Sequence, residues 1–430
     1  MMRINVAAVL LVIGCTGFAA AAPKSLLGRF LASSLDDSLI LARQGHVELL
    51  KKTPSSIPLI GDAEFRVKNR AFDFSAQRYT LKLSPRGFGE TKALRDYKRA
   101  QINYEETLSR YDLNELLLKR YVFFIDILER KSLSNGYREL IPVYEDRIKV
   151  MEQLKASTDF DLTVLISTEK DLAKMISENI EEMQEVTTAN RYIWAILGDT
   201  LAGGIDTAGL ISVAAVNKII ENMTFSLDET NIYLKNVKSE FDFSEKRYNV
   251  ELARNRNIIS FFDFSFDFGA YNDETMRYRE GKSYDQNLAY VMDIGIKLPF
   301  ISGSREDIVR RKIDFLNDKE ESIRLHNELI AKLHKDQADM QAYVERYALL
   351  TARETETDAA ASLKKYQQLS GANPLVLLEI KEDLIKNRME KEKIHFSILR
   401  NFIYLLDGTG QLIREPVVNF LSAGREALKQ

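Results

Sequence analysis

From Gly89 to about Lys155 the chain carries its strongest helical pattern, and a helix that long cannot fit inside an ordinary globular core. Leu113, Leu116, Leu117, Phe124, Ile127 and Leu128 recur at three- and four-residue steps, so an apolar stripe faces a neighbour while the remainder is charged. At 1.5 Å per residue, about 65 residues extend on the order of 100 Å. Proline is scarce enough to allow this: 8 in 430 residues, about 2% against the usual ~5%. Ser134-Asn135-Gly136 and Pro142 are expected to bend or briefly break the helix.

The turn-forming Ser157-Thr158-Asp159 precedes a return helix from Leu162 to Leu197, which Gly198 caps. At about 36 residues, roughly 54 Å, it covers little more than half the distance back. A helix at 226–257 is expected to supply the remainder. From Ser304 to Leu369, Ile323, Ile330, Leu333, Met340, Val344 and Tyr347 read as a coiled-coil seam with Gln337 in the vacant slot. Gly371-Ala372-Asn373-Pro374 makes the second turn, and a second return helix runs to Leu406. The N-terminal helix, about Ser25 to Lys51, is expected to complete its column. Four columns per chain result, joined end to end at a belt made of 199–224 and the C-terminal tail.

Between the helices lie strands. Phe262, Phe264, Phe266 and Phe268 alternate with Asp263, Ser265, Asp267 and Gly269. In Leu288 to Leu298, Tyr290, Met292, Ile294 and Ile296 oppose Ala289, Asp293, Gly295 and Lys297, which predicts a hairpin with one apolar face. A weaker hairpin is expected from Glu64 to Phe74 and Gln77 to Leu83, with Asn69 and Arg70 spoiling its apolar face, which is expected to shorten its strand. Taken alone, the aromatic face fits a soluble sandwich or a lipid-facing wall equally well. Four strands cannot close a barrel, whose practical minimum is about 8, so the membrane reading demands several chains. Tyr271, Tyr290 and Phe300 fit either an interfacial girdle or turn-proximal aromatics.

The elements repeat. Leu81-Lys82-Leu83-Ser84-Pro85 is echoed by Ile296-Lys297-Leu298-Pro299, Glu169-Lys170-Asp171-Leu172 by Lys381-Glu382-Asp383-Leu384, and Ser34-Leu35-Asp36-Asp37 by Ser226-Leu227-Asp228-Glu229. The chain is an internal duplication, mainly α with a small β part. Its divisions are 1–22, 23–57 (N-terminal helix), 58–85 (first β-hairpin), 86–198 (first long helical hairpin), 199–225 (linker), 226–257 (helix), 258–301 (second β-hairpin), 302–406 (second long helical hairpin) and 407–430 (tail). Residues 1–22 read as a secretory signal, with Arg3, the apolar Ile4 to Ile13 and then small residues through Ala22. Val12-Ile13-Gly14-Cys15 also resembles a lipobox, although Leu usually leads one and the alanine run fits ordinary cleavage better.

The formal charge of −3 gives no basic footprint for nucleic acid, and the lone cysteine rules out an intrachain disulfide framework and any multi-cysteine metal site. After residue 22 no run of about 18 apolar residues exists. His326 and His334 stand eight apart without a His-Glu-x-x-His pattern and read as solvated. No activated nucleophile and no cofactor motif is found, so an enzyme is not expected.

Ile296-Lys297-Leu298-Pro299-Phe300-Ile301-Ser302-Gly303-Ser304-Arg305, the turn Gly371-Ala372-Asn373-Pro374, and Asn401-Phe402-Ile403-Tyr404-Leu405-Leu406-Asp407-Gly408-Thr409-Gly410 resemble the TolC-type outer-membrane efflux and secretion channel family in order and in duplication. The resemblance implies a homotrimer with a 12-stranded outer-membrane β-barrel over a periplasmic α-barrel. It implies a passive duct working with a periplasmic adaptor and an inner-membrane transporter. Phe262, Phe264, Phe266 and Phe268 would then face outer-membrane lipid, and Asp263, Asp267, Asp293 and Lys297 the lumen. Ala156, Ser157, Thr158, Asp159 and Asp161 with Gly371, Ala372, Asn373 and Pro374 would form the periplasmic tips that meet the adaptor. Where some family members place an acidic constriction, this chain has Leu375-Val376-Leu377-Leu378, leaving Glu379 as the pore-entrance candidate; Asp159 and Asp161 read as solvated turn residues or N-caps. The alternative is a periplasmic adaptor or scaffolding coiled coil, though such adaptors usually carry one hairpin inserted in a split lipoyl-like domain.

Overall fold

A computed structural model describes residues 25–53, 56–70, 73–156, 161–198, 209–223, 227, 231–268, 288–296, 304–356 and 373–428. The helices are α1 (Leu26–Ala32), α2 (Ser38–Lys52), α3 (Glu90–Gln153), α4 (Leu162–Leu197), α5 (Val213–Glu221), α6 (Ile232–Asn255), α7 (Ser304–Glu356) and α8 (Pro374–Gly408). The strands are β1 (Ile60–Arg70), β2 (Asp73–Pro85), β3 (Ile259–Phe268) and β4 (Leu288–Ile296), in one antiparallel sheet of order β1-β2-β3-β4.

α3 is a single helix of 64 residues, about 96 Å long. The expected interruption at Ser134-Asn135-Gly136 and Pro142 does not occur. At Gly136 the Met389 side chain of α8 fills the space next to the helix: a Cβ there would stand 2.4 Å from Cγ of Met389. Ser134 donates to Asn179 Oδ1 at 2.7 Å, so packing on both sides holds the helix through its weak positions. Pro142 removes one backbone donor without ending the helix, while its neighbours Leu140, Val143 and Tyr144 are buried against Met175 and Ile385.

The order of the columns differs from the sequence expectation. α6 does not continue α4; it stands end to end with α8, because Asn231 Nδ2, at the start of α6, donates to the carbonyl of Gly408, the last residue of α8, at 2.8 Å. α2 instead shares the α4 column, with α1 at the joint. Arg43 of α2 pairs with Asp112 on the upper half of α3 at 3.1 Å, and Arg130 on its lower half pairs with Glu182 of α4 at 3.0 Å. The lengths agree: α6 and α8 together rise about 88 Å, close to α3 alone. Each stacked column thus joins the two shorter helices of one and the same half of the duplication. The four columns run α2/α4, α3, α6/α8, α7.

The main core sits where the stacked helices meet. Leu27, Phe30 and Leu31 of α1, Tyr121, Phe124 and Leu128 of α3, Ile193 of α4 and Ile398, Phe402 and Leu405 of α8 are buried together. The belt closes over them. Tyr121 donates to the carbonyl of Val418 at 3.0 Å and accepts from the Phe420 amide at 3.1 Å, while Ile211 N–H donates to the Leu421 carbonyl. α7 carries two apolar stripes rather than one seam. Leu333 and Met340 are buried toward α8, but Ile323 stays 58% exposed, with Val309, Ile313 and Leu316 exposed as well. A helix at the edge of the array needs one stripe for each neighbour, and within one chain only one neighbour is present.

Candidate functional site: a two-faced open sheet on helical columns

The sheet is built by alternation. β2 pairs with β3 as Leu83↔Phe262, Leu81↔Phe264 and Tyr79↔Phe266, and β3 pairs with β4 as Phe262↔Ile294, Phe264↔Met292 and Phe266↔Tyr290. Directly paired residues share a face, so Phe65-Leu81-Phe264-Met292 and Val67-Tyr79-Phe266-Tyr290 form apolar rows across all four strands. Ring centroids step across the second row: Tyr79 to Phe266 at 6.4 Å and Phe266 to Tyr290 at 5.2 Å. Phe65 and Tyr79 add a stacked pair at 6.3 Å. Among the described residues nothing covers this face, since Phe65 is 64% and Tyr290 80% exposed.

The opposite face is polar. Glu64-Lys82-Asp263-Asp293 form one row and Arg66-Thr80-Ser265 the next. Thr80 Oγ1 lies 3.1 Å from Ser265 Oγ, Ser265 donates to Asp263 Oδ1 at 3.3 Å, and Lys82 Nζ stands 4.5 Å over the Phe261 ring. Asp267 holds the same register parity opposite Arg78, and Phe268 the apolar parity opposite Gln77. Lys297 lies outside the described residues. The first hairpin is longer than expected. Arg70 pairs with Asp73, so Asp73 to Ala76 belong to the second strand, and Asn69 pairs with Gln77 without shortening the first.

At the far end of the columns, Ala156 ends a short 3-10 turn, Leu154–Ala156. Asp161 is the N-cap of α4, accepting from Thr163 N at 2.8 Å, and Asn373 caps α8 by accepting from Leu375 N at 2.9 Å, with Pro374 in the first turn. Glu379 is exposed. Ser157, Thr158, Asp159, Gly371 and Ala372 lie outside the described residues. Just above, α3 and α8 are tied by a cluster the sequence reading missed: Tyr144 and Lys386 donate to Glu382, and Arg147 Nη1 donates to its Oε2 at 3.0 Å. Burial works against the Glu382 carboxylate, but the hydrogen bonds from Lys386 and Tyr144 with the nearby cations prevail and hold it below its ordinary pKa. The signal was a carboxylate at a core-facing step between Leu378 and Ile385.

A second missed cluster marks the α6/α8 joint. Asp407 is fully buried, and its Oδ1 accepts from Tyr233 Oη and Asn114 Nδ2, each at 2.7 Å, with Lys332 Nζ 3.4 Å from Oδ2. Burial pushes the Asp407 carboxyl up, and Lys332, Tyr233 and Asn114 offset this only in part. The Tyr233 hydroxyl is pushed up by burial and by the Asp407 charge. A carboxylate in the last turn of a helix opposes the helix dipole, which is the clue that it has a partner elsewhere. At the other joint, Arg120 Nη1 donates to the Phe30 carbonyl at 2.7 Å and Nη2 reaches Asp37 at 3.3 Å, closing the end of α1.

Among the described residues no helix is long and apolar enough to cross a membrane, and no group of three or more His, Cys, Asp or Glu could hold a metal. His326 and His334 are exposed. The described sheet is apolar on one face, polar on the other and open at both edges, and it stands on columns of about 90 Å.

The comparisons with known proteins agree. No family model matches the chain, and no curated protein matches it in sequence. Among solved structures it is similar to the outer-membrane channel OprN (12% identity, TM-score 0.63, 90% of each chain covered). It is also similar to the outer membrane protein VceC from Vibrio cholerae (13%, 0.62, 89% of this chain and 96% of that one). The open state of the Neisseria gonorrhoeae MtrE outer membrane channel matches at 9% identity and TM-score 0.60, over 93% of this chain and 90% of that one. The fold is that of the TolC-type outer-membrane channels.

Proposed function

We propose that the protein is a passive exit duct of the outer membrane. Three copies complete one 12-stranded barrel, and their twelve helical columns continue it as a periplasmic tunnel. The carrying observation is the run of ring contacts Phe65–Tyr79–Phe266–Tyr290, which crosses four strands, is uncovered among the described residues, and ends at β1 and β4, the two edges of the described sheet. Exposed apolar rows of this size are costly in water, and open edges invite pairing. Lipid satisfies the first need and neighbouring copies the second. Phe262, Phe264, Phe266 and Phe268 then meet hydrocarbon, while Asp263, Asp267, Asp293 and Lys297 line water.

The helical edges make the same demand. Ile176, Ile180 and Met183 of α4 and Ile313, Leu316 and Ile323 of α7 are exposed on opposite edge columns, leaving each edge an apolar stretch for a neighbouring copy to cover. Energy for export comes from an inner-membrane transporter, reached through a periplasmic adaptor that grips the tips at 156–161 and 371–374. Glu379 is the pore-entrance carboxylate. The adaptor reading is weaker because the chain carries two long hairpins and a sheet with one uncovered aromatic face.

Purified protein added to a planar bilayer is expected to give stable conductance steps, with the oligomer collapsing to a faster or slower gel band on heating. A water-soluble monomer that leaves the bilayer silent would overturn the proposal.

A further inference from the structure

The elbow between sheet and helices holds an apolar residue with no packing role. Phe88 is 95% exposed, the most exposed large apolar side chain among the described residues. Loose chain does not explain this. Arg86 N–H donates to the Leu59 carbonyl at 2.8 Å and its Nε to the Pro58 carbonyl at 3.0 Å, while Asn257 Nδ2 donates to the Pro85 carbonyl at 3.0 Å. Gly87 N–H donates to Glu90 Oε2 at 2.8 Å, and a Cβ at Gly87 would stand 2.8 Å from the Ala253 carbonyl oxygen, so the turn is pressed against the end of α6. Gly89, at φ +81°, sits in the left-handed region that glycine favours. The fold fixes this turn and leaves its phenylalanine in the open.

The surroundings identify what it meets. Leu59 and Ile258, next to the pinned residues Arg86 and Asn257, are 77% and 62% exposed. The apolar face of the sheet runs down to the same elbow through Ile60, opposite Pro85, and Ile259, opposite Ile296. Immediately beyond it the charge turns positive. Between residues 86 and 99 stand five cations, Arg86, Lys92, Arg95, Lys98 and Arg99, against two carboxylates, in a chain whose net charge is −3. Lys92, Arg95, Arg99 and Arg256 are exposed.

We propose that this elbow is a membrane-seating collar, in which Phe88, Leu59 and Ile258 enter the headgroup boundary of an anionic phospholipid leaflet while Lys92, Arg95, Arg99 and Arg256 meet its phosphates. The inference rests on the lipid-facing reading of the sheet and adds where the bilayer stops and what its headgroups must carry. An aromatic side chain at the water boundary with cations just outside it is a favourable arrangement for a membrane protein. The collar sets the depth of insertion, because the helices below it are too polar to follow the sheet into hydrocarbon.

Trp194 is the only tryptophan, so a single reporter can be placed by Phe88→Trp in a Trp194→Phe background. The full chain is reconstituted in vesicles of phosphatidylcholine with phosphatidylglycerol, using lipids brominated high or low on the acyl chain. The Phe88→Trp reporter is expected to be quenched to roughly half by the high bromines and little by the low ones, and Phe264→Trp to be quenched by both. An unquenched Phe88→Trp beside a quenched Phe264→Trp would overturn the collar and leave the sheet reading standing; loss of quenching at both would overturn the two together. A blue-shifted Phe88→Trp emission insensitive to bromine would place a protein surface there instead and also overturn it. Ile258→Trp repeats the measurement should Phe88→Trp fail to assemble. Spin-labelled phosphatidylglycerol is expected to associate with the protein over phosphatidylcholine by up to about fivefold, what ~1 kcal/mol from one cation near the surface yields. Reversing Lys92, Arg95 and Arg256 to Glu should abolish that preference, and an unchanged preference would overturn the role of the cations.

Discussion

The hydroxyl of Tyr233 lies 2.7 Å from Oδ1 of Asp407, at the point where α6 and α8 meet end to end. The same oxygen lies 2.8 Å from Glu115 Oε1, so one hydroxyl proton faces two carboxylates. Elements from α3, α6, α7 and α8 converge on this pair, which makes it the bolt of the stacked column. Tyr233→Phe keeps the ring and leaves the buried carboxylate short of a donor. A loss of about 1 to 3 kcal/mol is expected in urea unfolding of the detergent-solubilised protein. An unchanged midpoint would show that the joint is held by packing alone.

The same pair gives the joint a pH dependence. Asp407 carries a folded-state pKa raised above its ordinary 3.8, chiefly by burial. The folded chain therefore binds this proton more tightly than the unfolded chain, and stability falls as pH rises through the window between 3.8 and the raised value. Asp407→Asn removes the titration. The wild-type chain should gain stability relative to Asp407→Asn on acidification toward 3.8, read as melting temperatures that diverge down a pH series; parallel curves would contradict this.

Glu382 titrates with the opposite sign. Its pKa is lowered from 4.5, so its contribution is present above that value and is lost as pH falls below it. Amide exchange in 140–147 and 378–386 should accelerate at pH 4 relative to pH 6, after correction for intrinsic rates, and Glu382→Gln should flatten the difference.

The Met389 side chain of α8 lies directly over Gly136 of α3. Gly136→Ala is expected to cost about 1 to 3 kcal/mol through overpacking, despite the better helix propensity of alanine. Met389→Ala added to it should recover part of the loss, a non-additivity that a double-mutant cycle measures directly.

Charge on the aromatic face tests the membrane reading at single residues. Phe264→Arg or Phe266→Arg is expected to cost about 2 to 4 kcal/mol at mid-bilayer depth in every copy and to abolish outer-membrane assembly. Asp263→Asn, on the other face, should assemble normally. The account requires that difference between adjacent residues in one strand.

The parts of this fold governed by local rules could be read directly. The alternation at Phe262 to Phe268 identified a strand and its faces, and Gly198 and Asn373 ended and began helices where backbone geometry requires them. End-to-end stacking leaves no such trace. Nothing periodic in Ile232 to Asn255 distinguishes α4 from α8 as its column partner; the choice lies in single contacts such as Asn231 to Gly408. Gly136 and Pro142 read as breaks because their compensation comes from α4 and α8, far along the sequence. The seam in α7 merges two stripes because one helix meets neighbours on two sides, and no local pattern sets Asp407 and Glu382 apart from the many carboxylates on helix surfaces.

The mass of the particle released from the outer membrane tests the central claim most directly. Native mass spectrometry in mild detergent should find three copies of the mature chain, since one open four-stranded sheet cannot form a closed wall. A single copy, stable after detergent removal with Phe65 and Tyr290 still exposed to water, would contradict the account.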